Sequence, residues 1–345
     1  MIPDDDLPEC CGSGCTNCVL DRTTRFRKPS TARPSVLDGG YKRFQCTNIS
    51  QCSYNTFLFR FRYLFASSET VPPDIELSIP PGSHLMLRAP KGWRETSRPL
   101  NAIFATWRNK TAASMNELES RVHNGGVRQT VAKYDQSERD LYISRSYTPV
   151  LVDEDACEFD VLIKMEVSGE MSEYLQTVQV DDVLEWKGTY TGFVWERNAR
   201  KSLICFAQGV GLAPIYSILT AILNDEEDET RLNLIYCCRD IDGILLRDKL
   251  TKMSAFWNFD STIYLSRETC TCGGKTTRNC SCLSSKVKYG EKILNHRLEK
   301  IDIENLLHKY GQHNSLQVLI CGTESFSKLI ENCLTLLNVR DLYKF

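Results

Sequence analysis

From about residue 198 onward, short apolar runs alternate with segments of helical periodicity, and this alternation constrains the fold more than any other feature. Strands that alternate with helices form a parallel sheet with right-handed crossovers. Ligands of such sheets bind at the carboxyl ends of the strands, which directs attention to Gly209, Ser266 and Cys321. The predicted strands are 203–207, 232–238, 262–266 and 316–321, and the predicted helices are 212–223, 243–253, 302–310 and 325–337.

Residues 41–197 have a different pattern. Phe57, Phe59 and Phe61 alternate with Leu58 and Arg60, and a period of two puts the aromatic rings on one face of a half-buried strand. Because several short strands are separated by turns, we expect a small antiparallel barrel. The further predicted strands are 84–88, 142–148, 159–167 and 183–187. Residues 89–144 are polar and weakly patterned, which predicts a surface insertion, partly helical at 112–122 and partly disordered.

The first 40 residues predict a short Cys-rich segment followed by a flexible basic linker. Their acidic, polar start lacks the features of a secretory signal, so we expect a cytoplasmic protein, or one on the cytosolic side of an organelle, and not a secreted one. Residues 202–224 are uncharged, but glycines and a proline interrupt them, so no transmembrane segment is predicted. The near balance of 42 Lys+Arg and 44 Asp+Glu offers no bulk attraction to nucleic acid.

The turn at 208–214 follows a predicted strand and opens a helix. Gly209 and Gly211 would let the main chain approach a pyrophosphate, and the helix N-terminus supplies free N–H groups. Pro214 near the helix start costs no hydrogen bond. The pattern is GxGxxP and not the full dinucleotide fingerprint, so a tight turn without a ligand is the alternative.

Residues 168–172 also follow a strand and open a helix, which makes a second candidate anion site. The alternative is simple capping by Ser168. The spacing of Met171, Tyr174, Leu175 and Val178 predicts one buried helix face.

Two arginines could bind phosphate groups. Arg145 shares a strand face with Tyr147, so a guanidinium lies beside a phenol that can pack against a flat ring. The alternative is an exposed arginine beside a core tyrosine. Ser266 and Arg267 end a strand, where they could hold the 2′-phosphate of an NADP-type ribose, or could be an ordinary surface loop.

In this order the motifs resemble those of the ferredoxin–NADP reductase superfamily, and within it the NADH–cytochrome b5 reductase group and its reductase-like subgroup. The resemblance covers about residues 41–345 apart from the insertion, and the segment at 10–18 resembles an oxidoreductase-like segment of the same subgroup. The motifs are RSYTP at 145–149, GEMS at 169–172, GVGLAP at 209–214, CG at 321–322 and the aromatic residue at 345.

The resemblance implies three regions and two cofactors, FAD and NADH or NADPH. The Cys-rich segment is 1–40, a six-stranded antiparallel FAD-binding barrel is 41–197, and a parallel-sheet, Rossmann-like NAD(P)H-binding domain is 198–345. Thr148 and Cys321 are the implied catalytic residues. The residues implied to bind FAD are Arg145, Ser146, Tyr147, Thr148, Pro149, Leu162, Lys164, Gly169, Glu170, Met171, Ser172 and Phe345. Those implied to bind the nicotinamide dinucleotide are Gly209, Gly211, Ala213, Pro214, Ser266, Arg267, Cys321 and Gly322.

Some positions depart from the family. Ala213 stands where the reductases usually carry Thr, and Thr323 begins a segment that replaces a Pro-rich tripeptide. Ser266-Arg267 stands where NADH-selective members tend to have Asp, and it is similar to NADPH-using members, so the resemblance implies that NADPH can be used.

The chemistry that the resemblance implies is hydride transfer from nicotinamide C4 to flavin N5, followed by single-electron transfer to a haem-type acceptor in trans, such as cytochrome b5. The alternative is a catalytically weak flavoprotein relative that acts as a metal- or partner-binding protein. Its support is the insertion, Ala213 and two cysteine clusters. Four thiolates suit Zn²⁺ or an Fe–S cluster, but neither spacing matches a standard site, so no metal site is assigned. The clusters are Cys10, Cys11, Cys15 and Cys18, and Cys270, Cys272, Cys280 and Cys282.

Overall fold

The computed structural model contains two β-sheets, one antiparallel and one parallel. It describes residues 34–37, 39–65, 75–96, 98–109, 111, 141–268, 281–310 and 315–345. The predicted helix at 112–122 and seven of the eight cysteines in the two clusters lie outside these residues. Within them, no helix combines the length and the apolar character needed to cross a membrane.

The antiparallel sheet forms the barrel, in the order β4-β3-β7-β1-β2-β6-β5. Its strands are β1 (Lys42–Gln51), β2 (Thr56–Tyr63), β3 (His84–Pro90), β4 (Tyr142–Tyr147), β5 (Pro149–Asp153), β6 (Glu158–Lys164) and β7 (Val183–Tyr190). Only Thr148 separates β4 from β5, yet these segments are at opposite edges of the sheet. One strand bent at Thr148 therefore closes the sheet, and the six-stranded barrel is confirmed with its sixth strand in two pieces.

Aromatic side chains fill the barrel. Phe57, Phe59 and Phe61 are fully buried whereas Arg60 is exposed, so the predicted alternation along β2 is confirmed. The Phe61 ring packs edge-on against Trp186 of β7, with ring centroids 5.0 Å apart. Such edge-to-face pairs are favourable beyond the apolar area that they bury.

The first part of the insertion corrects the surface prediction. Phe104 and Trp107 are buried, and the Phe104 ring lies 4.5 Å from that of Phe57. Asn101 caps the 3₁₀ turn Ala102–Phe104 by accepting a hydrogen bond from the Ile103 N–H. These two side chains are buried because the 3₁₀ turn and the helical residues 105–109 that follow it pack against the barrel core.

The parallel sheet has the order β11-β10-β9-β8-β12-β13. Its strands are β8 (Ser202–Gln208), β9 (Arg231–Cys238), β10 (Phe259–Leu265), β11 (Ile293–Leu294), β12 (Leu316–Cys321) and β13 (Leu342–Lys344). The chain runs outward from β8 through β9 and β10 and then returns to the other side of β8 as β12. The topological switch point is therefore between β8 and β12, where open parallel sheets bind ligands.

The helices that the structure describes from end to end are α1 (Glu170–Leu175), α2 (Leu212–Leu223), α3 (Arg247–Met253), α4 (Ser281–Ser284), α5 (Lys300–Tyr310) and α6 (Glu324–Leu336). The predicted bounds of α2 and β12 are confirmed. The helix predicted at 243–253 begins only at Arg247, because Leu246 has the left-handed φ of 53° and breaks it from the preceding turn.

The two halves share apolar contacts. Val150 and Leu162 of the barrel belong to the same buried cluster as α2. The barrel turn at Gly82 also packs on α2, since its N–H donates to the Ser217 hydroxyl at 3.3 Å and an added Cβ would lie 2.9 Å from Ile218 Cδ1. The barrel and the parallel sheet are therefore held against each other along α2.

Candidate functional site: a cleft between the two sheets

The turn after β8 lies at the switch point. It forms a 3₁₀ turn, Gly209–Gly211, that leads into α2. Gly209 has φ of 55°, and apart from its chain neighbours no residue has an atom within 4 Å of where its Cβ would be, so the main chain there faces open space. A Cβ on Gly211 would overlap the Cys321 carbonyl oxygen and lie 2.8 Å from its carbonyl carbon. Both glycines are therefore required, the first by its φ and the second by close approach to β12.

The residues after Gly211 shape the helix start. Pro214 is the third residue of α2, where its missing N–H removes no helical hydrogen bond. The side chains of Ala213 and Pro214 are buried, so any contribution of either residue to nucleotide binding must come from its main chain.

The end of β12 forms the other side of the switch point. A Cβ on Gly322 would lie 2.6 Å from the Phe326 ring and 2.9 Å from Gln208 Cβ. Burial raises the pKa of the Cys321 thiol to about 12, so the thiol is neutral at physiological pH. Cys321 thus lies beside the crevice as an uncharged, weakly nucleophilic group.

A hydrogen-bonded pair joins these two strand ends. Gln208 Oε1 accepts from the Thr323 main-chain N–H at 3.1 Å and from the Thr323 hydroxyl at 2.8 Å. No sequence pattern pointed to this pair, because it depends on β8 and β12 being neighbours.

The ends of β9 and β10 carry the arginines nearest to Ser266. The Ser266 hydroxyl donates to the Cys238 carbonyl at 3.1 Å, and the Arg267 N–H donates to the Arg239 carbonyl at 2.7 Å. Arg239 and Arg267 are both exposed. Glu268 instead accepts from the Ile241 N–H at 2.8 Å, so its carboxylate is engaged by the main chain. Sequence reasoning missed Arg239, although its place just after a predicted strand was the available signal.

The barrel side of the cleft contains the RSYTP residues. The Arg145 side chain is exposed and donates only to the carbonyl of its neighbour Ser144, with no carboxylate partner among the described residues. Ser146 is exposed, and Pro149 is buried at the start of β5. Tyr147 packs its ring 5.9 Å from that of Trp186, and burial raises the pKa of its phenol. The flavin roles of these residues stay predictions.

Helix α1 follows β6 and contacts β4, so the GEMS and RSYTP motifs are neighbours in space. Gly169 is its N-cap and no side chain caps it, so the suggested capping by Ser168 is wrong. The Ser172 hydroxyl accepts from the Glu166 N–H at 3.0 Å and closes the turn. Glu170 pairs with Arg94 at 3.1 Å, an arginine that sequence reasoning missed. As predicted, Met171, Tyr174 and Leu175 form a buried helix face, and Val178 is also buried, although it lies beyond the end of the helix at Leu175.

Strand β6 connects the two parts of the cleft, since it contacts the Gly209–Gly211 turn. Leu162 of this strand is buried in the cluster shared with α2, and Lys164 is exposed and pairs with Glu166 at 2.6 Å. Phe345 lies at the same boundary, where its ring is 6.1 Å from that of Phe193. The Phe345 N–H donates to the Ile320 carbonyl at 3.0 Å, which fixes the end of the chain beside β12.

A closed antiparallel barrel next to a parallel sheet, with a glycine turn at the switch point, defines the class of two-domain flavin and nicotinamide oxidoreductases. Family models for the oxidoreductase FAD-binding domain and the oxidoreductase NAD-binding domain match residues 127–195 and 205–332. The chain belongs to the FAD- and NAD-binding oxidoreductases of the ferredoxin–NADP reductase family, and it is cytochrome b5 reductase-like.

Similar proteins agree with this assignment. The NADH-cytochrome b5 reductase-like protein of Homo sapiens is 27% identical, in an alignment that covers 97% of this chain and 90% of that protein. The Mus musculus protein of the same name is 28% identical over 290 residues, covering 78% of this chain and 74% of that protein. The solved cytochrome b5 reductase domain of Ulva prolifera nitrate reductase has the same fold, with a TM-score of 0.58, 18% identity and coverage of 89% and 97% of the two chains.

The residues present fit FAD and a nicotinamide dinucleotide. On the nucleotide side, the main chain at Gly209 faces open space, and Gly211 and Gly322 let the ends of β8 and β12 pack closely beside it. On the barrel side, Arg145 presents an exposed guanidinium of the kind that binds phosphate groups. The fold therefore supplies a lining for one cofactor on each side of the cleft.

Proposed function

We propose that this protein transfers electrons from NADH or NADPH, through FAD, to a one-electron haem-protein acceptor such as cytochrome b5. The observation that carries this proposal is the contact between the Gly209–Gly211 turn and β6, because it brings the nucleotide crevice against the FAD-binding barrel. FAD held in this barrel would supply the exchange between a hydride and single electrons, which suits a haem acceptor.

The protein's own residues would bind and orient the cofactors. Arg145 would bind the FAD phosphates, and Thr148, at the bend between β4 and β5, would lie along the flavin. Gly209 and Gly211 would bind the dinucleotide through their main chain. Cys321 would lie beside the nicotinamide, where its neutral thiol excludes water without competing as a nucleophile.

NADPH use is part of the proposal. Arg239 and Arg267 follow the ends of neighbouring strands and are exposed, and although Arg239 lies 3.7 Å from the Asp240 carboxylate, both guanidinium groups can reach solvent and so a 2′-phosphate. The end of β10 is two strand spacings, about 10 Å, from that of β8. This separation suits a dinucleotide that extends along the carboxyl edge of the sheet. We place the reaction on the cytosolic side of the cell as part of the same proposal.

The first experiment is the visible spectrum of the purified protein before and after anaerobic addition of NADH or NADPH. We expect a flavin band that either nucleotide bleaches, and then reoxidation by cytochrome b5. A protein that takes up no FAD, or a flavin that neither nucleotide bleaches, would contradict the proposed function. A flavin that is reduced but not reoxidised by cytochrome b5 would contradict only the acceptor.

The nucleotide preference has its own test. Arg267→Ala should raise the KM for NADPH about tenfold or more and change that for NADH little, since only NADPH carries the 2′-phosphate. Arg231→Ala, which removes an exposed arginine from the opposite end of β9, is the matched control. Equal effects of Arg267→Ala on both nucleotides would show that this side chain does not read the 2′-phosphate.

A further inference from the structure

Gln208 is the last residue of β8, directly before the glycine turn, and Thr323 follows Cys321-Gly322 at the end of β12. Their side chains meet across the mouth of the switch point. The strands themselves pair up to Ala207 and Cys321, so this bond extends the contact between β8 and β12 beyond their last paired residues.

The chemistry of Thr323 fixes which way the Gln208 amide faces. A main-chain N–H can only donate, so the amide atom facing it at 3.1 Å must be the oxygen, Oε1. The Thr323 hydroxyl donates to the same oxygen at 2.8 Å. The Nε2 group is therefore turned away from Thr323. It has two N–H donors and no acceptor among the residues that the structure describes.

The surroundings of Gln208 leave this group open to a ligand. Gln208 is only half-buried, and the next residue, Gly209, faces open space. Gly322 packs against Gln208 Cβ, so the aliphatic part of the Gln208 side chain is covered on the side that faces Thr323. The amide is thus held on one side by β12 and presents its donors at the crevice.

We infer that Gln208 is a nucleotide-binding residue whose Nε2 donates a hydrogen bond to an oxygen of the nicotinamide dinucleotide, in the pyrophosphate or the carboxamide. This inference rests on the proposed function, because it takes the switch-point crevice as the nucleotide site. Thr323 acts as a positioning residue that preorganises the amide, and preorganised donors lose less conformational freedom on binding.

Gln208→Glu separates ligand contact from positioning. Glutamate keeps an acceptor for both Thr323 donors but replaces the Nε2 donors with a carboxylate oxygen. We expect the Kd of the FAD-loaded protein for NAD⁺ to rise about tenfold or more, with FAD content and thermal midpoint unchanged. If Gln208 only held the two strands together, Gln208→Glu would bind NAD⁺ like the parent protein. That result would overturn the inference.

Two further variants control for charge and for the Thr323 bond. Gln51→Glu makes the same charge change at an exposed residue of β1, and should leave NAD⁺ binding unchanged. Thr323→Val removes the hydroxyl and keeps the main-chain N–H, so its effect on NAD⁺ binding should be no more than about threefold. A Thr323→Val loss as large as that of Gln208→Glu would favour positioning alone and contradict a direct contact.

ADP-ribose distinguishes the two oxygens, because it has the pyrophosphate and lacks the nicotinamide. Equal weakening of ADP-ribose and NAD⁺ binding by Gln208→Glu would assign the pyrophosphate. Weakening of NAD⁺ alone would assign the carboxamide. If the parent protein binds FAD and NAD⁺ and the variant behaves identically, only this inference fails, whereas a parent protein that binds neither contradicts the proposed function itself.

Discussion

Gly211 and Cys321 approach so closely that no side chain fits between them. A Cβ on Gly211 would overlap the Cys321 carbonyl oxygen and lie 3.1 Å from its Sγ. The obstacle is main chain of β12, which cannot move aside as a flexible side chain could. This contact sets the separation of the two strand ends at the crevice.

Gly211→Ala should therefore displace the end of β12 and destabilise the protein. We expect a loss of about 1–3 kcal/mol in the free energy of unfolding, typical of overpacking, together with weaker NAD⁺ binding. Urea denaturation and NAD⁺ titration of the FAD-loaded protein measure the two effects. Gly40→Ala is the control, because its added Cβ meets nothing within 4 Å, and it should change stability by less than about 0.5 kcal/mol. Equal stability of the two variants would show that the strand ends can separate freely.

Much of the parallel half could be predicted because its signals are local. The bounds of α2 follow from an apolar stretch with glycines before it and an acidic stretch after it. Because ligands bind at the carboxyl ends of parallel strands, Gly209 and Cys321 could be placed at one edge of the sheet without knowing that β8 and β12 are adjacent. Strand β11 was missed because it has only two residues, Ile293–Leu294, and a run this short shows no period.

The residues that could not be predicted depend on packing between distant segments. Gln208 and Thr323 are 115 residues apart, and only the pairing of β8 with β12 makes them neighbours. Phe104 lies in a polar segment, and its burial depends on where one turn meets the barrel. Neither relationship leaves a pattern along the chain.

His84 should make stability depend on pH. Burial lowers the pKa of its imidazole to about 4, while its ring stacks 5.4 Å from that of Tyr190. The unfolded chain takes up a proton below about pH 6.5, but the folded protein does so only near pH 4. The stabilising contribution is therefore complete above pH 6.5 and is lost as the pH falls towards 4, by up to about 3 kcal/mol.

Urea denaturation of the parent protein and of His84→Gln between pH 4 and 7.5 measures this contribution. As the pH falls from 6.5 to 4, the free energy of unfolding of the parent protein should decrease relative to that of His84→Gln, because glutamine does not titrate. Parallel pH curves would show that His84 is solvated enough to titrate normally.

Arg247 and Glu291 form a partly buried ion pair that attaches residues 286–291 to α3. Arg247 Nε and Nη2 donate to the two carboxylate oxygens at 2.7 and 2.5 Å, and the Glu291 side chain is only 6% exposed. Arg247→Met would leave that carboxylate without its guanidinium, so we expect a loss of about 2–3 kcal/mol in the free energy of unfolding at pH 7. Arg62→Met is the matched control, since Arg62 pairs with Glu158 but is 57% exposed, and it should cost less than about 1 kcal/mol.

The same pair should weaken in acid. Although burial opposes it, hydrogen bonds from Arg247 and from the Lys288 main chain hold the pKa of Glu291 below its ordinary value of 4.5. A carboxyl group with a lowered folded-state pKa stabilises the protein above its unfolded-state pKa, and that stabilisation is lost as the pH falls through the folded-state value. The difference between the parent protein and Arg247→Met should therefore decrease below about pH 4.5 in urea denaturation. A difference that stays constant to lower pH would mean that Glu291 is not the titrating partner.

Cys321 should react slowly with iodoacetamide even though its side chain is partly exposed. Burial raises the pKa of its thiol to about 12, against about 8.5 for a free cysteine, so its thiolate fraction at pH 7.5 is lower by roughly three orders of magnitude. Since alkylation consumes the thiolate, the rate should be lower by a similar factor and should rise about tenfold per pH unit between 7.5 and 9.5. Peptide mass spectrometry after timed alkylation of the folded protein measures it, with the same protein in urea as the reference for an unperturbed thiol. A rate that is low but levels off near pH 9, as for a thiol of ordinary pKa, would indicate restricted access instead of a raised pKa. Rapid alkylation at pH 7.5 would contradict the neutral thiol assigned to the crevice.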